Sequence, residues 1–277
     1  PERFSKAADR SDMVILDLED GCRVENRDDA RMHIAEADLD PERTIVRVNP
    51  ADSEDMPHDI AAVSRTAFRR IMLPKVESAG DIDRVLRECD GVTPDDIRVI
   101  ALIETPRGVL NLGEIAAHDN VDALFWGAED LTAALGGTSS RYGVDEGATP
   151  GGGISGNPGG YREVPRHTRA MVLLHAAAAG KVALDSIHAD TSDVEGARAE
   201  AFDAAASGFV ATVSIHPRLV PAIREAYRPT EEQLTWARKV TEGAKNNSGA
   251  FAVDGQMIDA PLLRQAGVIE TRAASVK

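Results

Sequence analysis

Carboxylate side chains recur directly after short apolar runs of this sequence, and an arginine and a lysine recur with them. In parallel α/β folds these positions follow the carboxyl ends of strands, where the connecting loops converge and catalytic groups lie. The polar residues at these positions are Asp17, Glu19, Asp20, Arg47, Asn49, Lys75, Glu104, Glu129, Asp130, Asp185 and His216. A ring of acids cannot stay buried without a compensating positive charge. A hard divalent cation would supply it, and Mg²⁺ prefers a few carboxylates together with waters and substrate oxygens.

Glu104 and Asp130 are the expected metal ligands. They lie one strand–helix unit apart along the chain, which would place them on adjacent strands. The alternative is that these acids cap helices or pair with Lys75 and Arg47. That alternative can hold for any single acid, but it explains less well why acids recur at matching points of successive units. The pattern therefore predicts a Mg²⁺ site.

Two features could bind a substrate carboxylate beside this metal. One apolar run ends, and a short helix begins, at Gly127, Ala128, Glu129 and Asp130. The backbone N–H groups of a helix start would point toward the site and favour an anion. Arg47 carries a planar guanidinium, which binds a carboxylate through parallel hydrogen bonds. Together they suit a 2-keto or 2-hydroxy acid chelated to Mg²⁺, whereas a structural Arg47 paired with Asp17 or Asp20 is the alternative.

Seven apolar runs are predicted to be the strands that position these residues. They are Met13–Leu18, Thr44–Val48, Ile71–Leu73, Val99–Ile103, Ala123–Trp126, Val182–Leu184 and Val210–Val213. The runs are continuous rather than alternating, which is typical of strands covered on both faces. Most begin roughly 23 to 31 residues apart, the length of one strand–helix unit. Seven strands fit an open doubly wound sheet or, with an eighth, a closed barrel, and composition does not choose between them.

The regular spacing is interrupted in two places. One interval is about twice as long as the others and contains Gly143–Gly160, a glycine-rich segment without apolar periodicity. It is predicted to be a surface loop, either a lid or a tolerated insertion. After Tyr227 the strand–helix spacing stops, and a helix around Thr230–Ala244 leads into a tail and a final short helix. We therefore predict one α/β domain over residues 1–228 and a C-terminal arm over residues 229–277.

Composition excludes several classes of function. The 277 residues include 31 Lys and Arg against 46 Asp and Glu, a formal net charge of −15. This excess of negative charge disfavours nucleic-acid binding. No apolar run reaches the roughly 18 residues that a membrane span needs, and no charged-then-apolar leader precedes the first strand, so we expect a cytoplasmic protein. The sequence has no GxGxxG after a strand, no GxxxxGK[ST] and no GxSxG motif.

Ordered motifs along almost the entire chain resemble the citrate lyase beta subunit-like proteins of the HpcH/HpaI aldolase/citrate lyase family. The motifs are Ile15–Gly21, Val46–Asn49, Leu73–Lys75, Ala101–Thr105, Gly127–Leu131, Ile215–Pro217 and the tail motif Gly255–Asp259. The resemblance implies an α/β fold, a (β/α)8 barrel of the pyruvate/phosphoenolpyruvate type whose first strand would precede Pro1. It also implies that Glu104 and Asp130 bind Mg²⁺ and that Arg47 holds the acid substrate. The residues expected to support them are Asp17, Glu19, Asp20 and Lys75.

The resemblance also implies an activity. Relatives that act on acyl-CoA form homotrimers in which the aspartate matching Asp259 enters the site of a neighbouring subunit. The expected activity is a Mg²⁺-dependent cleavage of a 3-hydroxyacyl-CoA, of the malyl-CoA or citramalyl-CoA kind, into an acyl-CoA and a keto acid. One alternative is a metal-dependent pyruvate aldolase that acts on free hydroxy-keto acids, although no histidine precedes His33 to serve as its early base. A second alternative is a non-catalytic protein that binds acyl-CoA or keto acids.

Overall fold

Seven parallel strands form one curled sheet in the order β1-β2-β3-β4-β5-β6-β7. They are β1 (Val14–Asp17), β2 (Thr44–Arg47), β3 (Arg70–Leu73), β4 (Arg98–Ile103), β5 (Val121–Trp126), β6 (Val182–Asp185) and β7 (Ala211–Thr212). A computed structural model describes residues 3–89, 91, 93, 96–143, 146, 159–247 and 249–275. Most of the predicted loop Gly143–Gly160, namely 144, 145 and 147–158, lies outside these residues. The seven predicted strands are confirmed to within about two residues.

Most of the helices connect the strands and cover the outside of the sheet, while the last two belong to the C-terminal arm. The helices are α1 (Phe4–Arg10), α2 (Arg27–Ala35), α3 (Met56–Val63), α4 (Ala79–Arg87), α5 (Pro106–Leu110), α6 (Leu112–Ala117), α7 (Ala128–Ala134), α8 (Glu163–Ala178), α9 (Val194–Ser207), α10 (Val220–Ala226), α11 (Glu231–Lys245) and α12 (Ala260–Ser275). Two short 3₁₀ helices, Val24–Asn26 and Pro41–Arg43, lie before β2. No helix among these is long and apolar enough to cross a membrane.

The sequential strand order identifies a barrel-type sheet, because a doubly wound sheet reverses its order at a switch point. Two apolar clusters lie on the two faces. One joins the outer strand residues to the helices. The other consists of Ile45, Met72, Ile100, Leu102, Ala123 and Phe125, with Ile15, Leu184 and Val213 packed against it. These alternate with outward residues along their strands, as the side-chain period of two requires, and fill the concave face. The eighth strand that the resemblance implies is not among the described residues.

A helix begins immediately after β4, at the position that follows Glu104. Thr105 caps it: the hydroxyl oxygen accepts a hydrogen bond from Gly108 N at 3.0 Å, and Pro106 occupies the first helical position. Gly108 packs against the backbone that follows β3, since a Cβ at this position would lie 2.3 Å from the carbonyl oxygen of Val76. The backbone on the C-terminal side of Glu104 is therefore fixed by a cap and a close packing contact.

The C-terminal arm has its own small core. Helix α11, the hairpin β8 (Phe251–Val253) and β9 (Gln256–Ile258), and helix α12 pack together. Their buried residues are Ala237, Val240, Ile258 and Ala266. Arg272 joins the arm to the barrel domain by donating to the carbonyl oxygens of Ala205 at 2.8 Å and Phe209 at 3.3 Å. The predicted helix around Thr230–Ala244 is confirmed, whereas α12 has 16 residues and is longer than predicted.

Candidate active site

Arg47, at the end of β2, is held between two carboxylates from the β1 side of the sheet edge. Its Nε donates to Asp17 Oδ1 at 2.7 Å, and its Nη2 donates to Asp17 Oδ2 at 2.5 Å. Its Nη1 forms an ion pair with Glu19 Oε2 at 3.0 Å. A guanidinium has five N–H groups. Two donate to Asp17 and one on Nη1 faces Glu19, which leaves two N–H groups, one each on Nη1 and Nη2, with no acceptor among the described residues. The pairing with Asp17 thus orients Arg47 and leaves donors for a second carboxylate.

The Asp17 carboxylate is itself fixed by the turn that follows β1. It accepts hydrogen bonds from the backbone of Glu19 at 3.0 Å and of Gly21 at 2.9 Å. A Cβ at Gly21 would lie 2.2 Å from Asp17 Oδ2, so only glycine fits at this point of close approach. The two oxygens of Asp17 therefore reach Arg47 from a preorganised position.

Lys75 follows β3 and connects the two halves of the site. Its ammonium lies 2.5 Å from Glu19 Oε1 and 3.7 Å from Asp20 Oδ2. Its backbone N–H donates to Glu104 Oε1 at 3.1 Å. Burial alone would lower the pKa of the ammonium, but the hydrogen bond and charge of Glu19 outweigh it and raise that pKa. Lys75 has a φ of 53°, a left-handed conformation that costs a lysine about 1 kcal/mol.

Glu104, at the end of β4, is the most perturbed acid of the site. Only 4% of its surface is exposed. Burial, followed by the nearby charges of Asp130 and Glu19, raises its pKa to about 8, while Lys75 opposes the shift. A carboxylate in this setting lacks a sufficient counter-charge. The position therefore suits a cation that is not part of the polypeptide.

Gly127 makes room for Glu104. A Cβ at Gly127 would lie 2.6 Å from Glu104 Oε2 and 2.9 Å from Glu104 Cβ. The N–H of Gly127 donates to Ile103 O at 3.1 Å, which ties the start of α7 to the end of β4. The contribution of Gly127 is thus space and backbone position, since its N–H is already bonded within the protein.

The substitution Gly127→Ala should displace the Glu104 carboxylate, because the new methyl group would lie closer to this buried side chain than van der Waals contact allows. We expect a loss of Mg²⁺ affinity of roughly tenfold or more, measured by calorimetric titration, with the protein still folded by circular dichroism. Gly113→Ala is the matched control, because a Cβ there would meet nothing closer than 3.8 Å. Equal Mg²⁺ affinity of both variants would contradict this description of Gly127.

Asp130 and Glu129 lie in the first turn of α7 and differ in their surroundings. Asp130 is half-buried and close enough to Glu104 to raise its pKa. Glu129 is exposed, and its Oε1 accepts a hydrogen bond from Ser140 Oγ at 2.6 Å. The side chain of Glu129 therefore bonds to the following loop, while Asp130 accompanies Glu104.

The donor set fits Mg²⁺. In the part of the chain that the structure describes, no group of three or more His, Cys, Asp or Glu side chains could hold a metal. Two carboxylates are nevertheless the usual protein contribution to a Mg²⁺ site, with waters and substrate oxygens completing the shell. The uncompensated charge of Glu104, with Asp130 beside it, is what such an ion would neutralise.

A buried network that the sequence did not reveal supports this edge of the sheet. Asn49 donates its side-chain N–H groups to Leu18 O at 2.9 Å and to Asp59 Oδ2 at 2.7 Å. The fully buried Asp59, on α3, also accepts from Asn49 N at 2.8 Å and from Arg31 Nε at 2.7 Å. This network fixes the backbone at Asn49, two residues after Arg47, and at Leu18, between Asp17 and Glu19. Asp59 adjoins an apolar helical stripe, and nothing in that pattern marks it as buried.

Two further members of the sequence-derived ring lie in other surroundings. Asp185 accepts hydrogen bonds from Trp126 Nε1 at 2.8 Å and from Arg169 at 2.8 to 3.1 Å, so its charge is compensated within the protein. His216 is exposed, and its Nδ1 accepts from Arg218 N at 3.2 Å. The expectation that Asp185 belongs to an uncompensated acidic ring is wrong, because Arg169 neutralises it.

Comparison with known proteins shows the family of this chain. The model of the HpcH/HpaI aldolase/citrate lyase family matches residues 5–217. The chain belongs to this family. A citrate lyase subunit beta-like protein of Mycobacterium tuberculosis is 46% identical over 273 residues, which cover 99% of this chain and 92% of that protein. The human mitochondrial citramalyl-CoA lyase is 29% identical and is matched over 96% of this chain and 80% of its own length.

Solved structures of HpcH/HpaI family members show the same fold. CitE from Mycobacterium tuberculosis in complex with magnesium, acetoacetate and coenzyme A has a TM-score of 0.85 and 45% sequence identity, covering 99% of this chain and 94% of that one. The M. tuberculosis citrate lyase beta subunit complexed with oxaloacetate and magnesium has a TM-score of 0.72 and 47% identity, covering 83% and 92%. The barrel-type fold that the family resemblance implied is therefore confirmed.

The position of Asp259 in this HpcH/HpaI family member differs from that of the other candidates. Asp259 is exposed between β9 and α12, where its carbonyl oxygen accepts from Leu263 N at 3.0 Å. No hydrogen bond or ion pair between described residues joins it to Glu104, Asp130 or Arg47. Within one chain, Asp259 is therefore not bonded to the carboxylate pair.

Metal binding by this HpcH/HpaI family site should depend on pH. With a pKa of about 8, Glu104 is largely protonated at pH 7 in the metal-free protein, and Mg²⁺ must displace that proton. We expect the affinity to rise about tenfold per pH unit below pH 8 and to level off above it. Calorimetry at pH 7 in two buffers of different ionisation enthalpy should show release of nearly one proton per ion. Affinity that is constant between pH 6 and 8 would contradict the raised pKa.

Proposed function

We propose that this chain is a Mg²⁺-dependent carbon–carbon lyase. Its substrate would be a 3-hydroxyacyl-CoA thioester of the malyl-CoA or citramalyl-CoA kind, which it cleaves to, or forms from, an acyl-CoA and a keto acid. The observation that carries the proposal is the buried, uncompensated Glu104 beside Asp130, at the same sheet edge as an oriented arginine with free donors. Support also comes from relatives named citramalyl-CoA lyase and from neighbours described with magnesium, coenzyme A and oxaloacetate.

Each residue of the site has a distinct part in substrate binding. Glu104 and Asp130 would hold Mg²⁺, which when bound supplies a positive charge next to the oxygen where negative charge develops. Arg47 would bind the carboxylate of the keto acid through its free N–H groups. The first-turn N–H groups of Ala128, Glu129 and Asp130, which have no partner within a helix, would face the same anion. Asp17, Glu19, Asp20 and Lys75 keep these groups in place.

Cleavage moves two electron pairs and two protons. The hydroxyl group loses its proton to solvent, and the electron pair of its O–H bond forms the keto group while the bond to the neighbouring carbon breaks. The electron pair of that bond passes to the carbon beside the thioester, whose carbonyl delocalises the charge. Asp259 would donate a proton to this carbon, which yields the acyl-CoA. In the reverse direction Asp259 would take that proton as a general base.

Asp259 would act in a neighbouring subunit of a homotrimer. Within one chain it is exposed, and no hydrogen bond or ion pair among the described residues joins it to Glu104 or Arg47, so we expect a second copy of the chain to supply it. The arm over residues 229–277 would then pack on the neighbour, and the barrel domain over residues 1–228 would hold the metal and the keto acid.

A panel assay tests the proposed activity. Purified protein with Mg²⁺ would be incubated with malyl-CoA, citramalyl-CoA and related thioesters, and in parallel with free hydroxy-keto acids. We expect release of keto acid from at least one thioester, and loss of that activity on treatment with EDTA. Cleavage of the free acids alone would indicate a metal-dependent pyruvate aldolase. Binding of thioesters without any turnover would indicate a non-catalytic binding protein.

A further inference from the structure

The left-handed backbone of Lys75 has no local explanation. Among the described residues, only Lys75 (φ 53°) and Asp254 (φ 48°) are non-glycine residues with a positive φ. Asp254 precedes Gly255 in the turn between β8 and β9, where an Asp-Gly pair favours this conformation. Lys75 lies in no hairpin, and a long side chain does not favour a positive φ. A strained residue next to a candidate metal ligand indicates a functional constraint.

The chain leaves the sheet after Leu73 and returns to it at Val76. Leu73 pairs with Ala101 on β4, and the N–H of Val76 again donates to this strand, at Leu102 O (3.3 Å). Pro74 and Lys75 bulge out between these points. Bulges beside active sites redirect side chains and backbone groups. Here the bulge turns the Lys75 N–H toward Glu104 Oε1, at 3.1 Å.

The same residue also reaches the opposite side of the site. The Lys75 ammonium contacts Glu19 Oε1 at 2.5 Å, while Glu19 Oε2 contacts Arg47 Nη1 at 3.0 Å. Glu19 is buried, so its two cationic partners have few alternative positions. Lys75 thus links the metal-binding carboxylate, through its backbone, to the substrate-binding guanidinium, through its side chain and Glu19.

We propose that Lys75 is a positioning residue that sets the distance between the Glu104 carboxylate and the Arg47 guanidinium, through its left-handed backbone and its ion pair with Glu19. This inference rests on the proposed function, because it takes Glu104 as a metal ligand. Backbone strain is retained at this point because a relaxed conformation would turn the N–H away from Glu104. A glycine would allow the backbone but would lose the ion pair, so both parts of the lysine are needed.

A substitution series separates the two contributions. Lys75→Gly, Lys75→Met and Lys75→Val all lack the ammonium, but they tolerate a positive φ progressively less well. Binding of Mn²⁺ alone would be followed by electron paramagnetic resonance, since Mn²⁺ accepts oxygen ligands like those of Mg²⁺. We expect Lys75→Gly to bind Mn²⁺ nearly as the wild type does, and Lys75→Val to bind it about five- to tenfold more weakly. Lys75→Met should fall between them, and it replaces Lys75→Val in the comparison if the latter does not fold.

The ammonium is tested by a second readout. The Lys75 ammonium acts on Arg47 through Glu19, so Lys75→Gly, Lys75→Met and Lys75→Val should all raise the KM for the keto acid in the condensation direction. Lys75→Arg keeps a positive charge and should raise this KM less. The control is the series Asp254→Gly and Asp254→Val, which makes the same change of φ tolerance in the hairpin turn and should leave Mn²⁺ affinity unchanged. Equal Mn²⁺ affinity of Lys75→Gly and Lys75→Val (or Lys75→Met) would overturn the positioning role while leaving the lyase proposal intact. Failure of the wild type to bind Mn²⁺ would overturn both.

Discussion

Replacing Glu104 with glutamine is expected to abolish Mg²⁺ binding and Mg²⁺-dependent turnover while leaving the metal-free protein at least as stable as the wild type at high pH. Glutamine keeps the shape of the side chain but cannot donate a negative charge to the ion. The folded-state pKa of about 8 lies above the unfolded value of 4.5, so protonated Glu104 favours the fold. The contribution of this group to stability is therefore full below pH 4.5 and is lost as the pH rises to about 8. Glutamine does not ionise and avoids that loss.

Thermal unfolding with and without Mg²⁺ checks this prediction. The wild type should gain stability with added Mg²⁺, because the ion binds the folded state, whereas Glu104→Gln should not respond. Without metal at pH 9, the midpoint of the variant should equal or exceed that of the wild type. Glu114→Gln is a matched control, since Glu114 is an exposed acid on α6 and should leave both responses unchanged. A variant that still unfolds later with Mg²⁺ and retains metal-stimulated activity would refute the ligand assignment.

Asp259→Asn is expected to retain binding of Mg²⁺ and keto acid but to lose turnover by about 100- to 10,000-fold, the usual contribution of a general acid or base. Because Asp259 is exposed, this substitution should not disturb folding, so a loss of turnover would reflect the chemistry. Asp254→Asn, in the turn of the same hairpin, is the control, because asparagine also tolerates a positive φ. Rates of thioester cleavage and calorimetric titration with Mg²⁺ would be measured for both. Unchanged turnover in Asp259→Asn would remove this residue from the mechanism.

Mixed oligomers test whether Asp259 acts on a neighbouring chain. Glu104→Gln and Asp259→Asn would each be nearly inactive alone. Co-expressed with different affinity tags and purified through both, they should regain activity, because some sites combine an intact Glu104 from one chain with an intact Asp259 from another. Every mixed cyclic trimer places both intact residues at one of its three sites, so about one third of full activity is expected. Absence of any recovery, despite isolation of mixed oligomers, would indicate that Asp259 does not act between chains.

The strands could be located accurately from the sequence because they are buried on both faces. Continuous apolar runs at regular intervals are a strong signal, and acids placed at their ends could be recognised without knowledge of the fold. The same reasoning located Glu104 and Asp130 at a common edge. It could not decide between a barrel and a doubly wound sheet, because strand order is a property of long-range pairing and leaves no local trace in the chain.

The pairing of charges within the site was less predictable. From sequence, Arg47 could bind either substrate or Asp17, yet the structure shows the pair with Asp17 and free N–H groups on the same guanidinium. Asp185 follows a strand as the other acids of the ring do, but Arg169, from a helix that precedes β6, neutralises it. Such partners come from distant elements, and residue type alone does not reveal them. The conformation of Lys75 is likewise set by strand pairing, since no glycine or turn signal marks the position.

The unequal numbers of acids and bases around the site have a consequence for the order of events. Among the described residues, the ion pairs of Asp17, Glu19 and Asp20 involve two cations, Arg47 and Lys75, and Glu104 and Asp130 add two further acids. An anionic substrate that approaches the metal-free protein meets a repulsive field, whereas a divalent cation is attracted. A bound cation would offset most of this repulsion, so that an anion could approach the N–H groups of Arg47. We therefore expect the ion to bind first and the keto acid second.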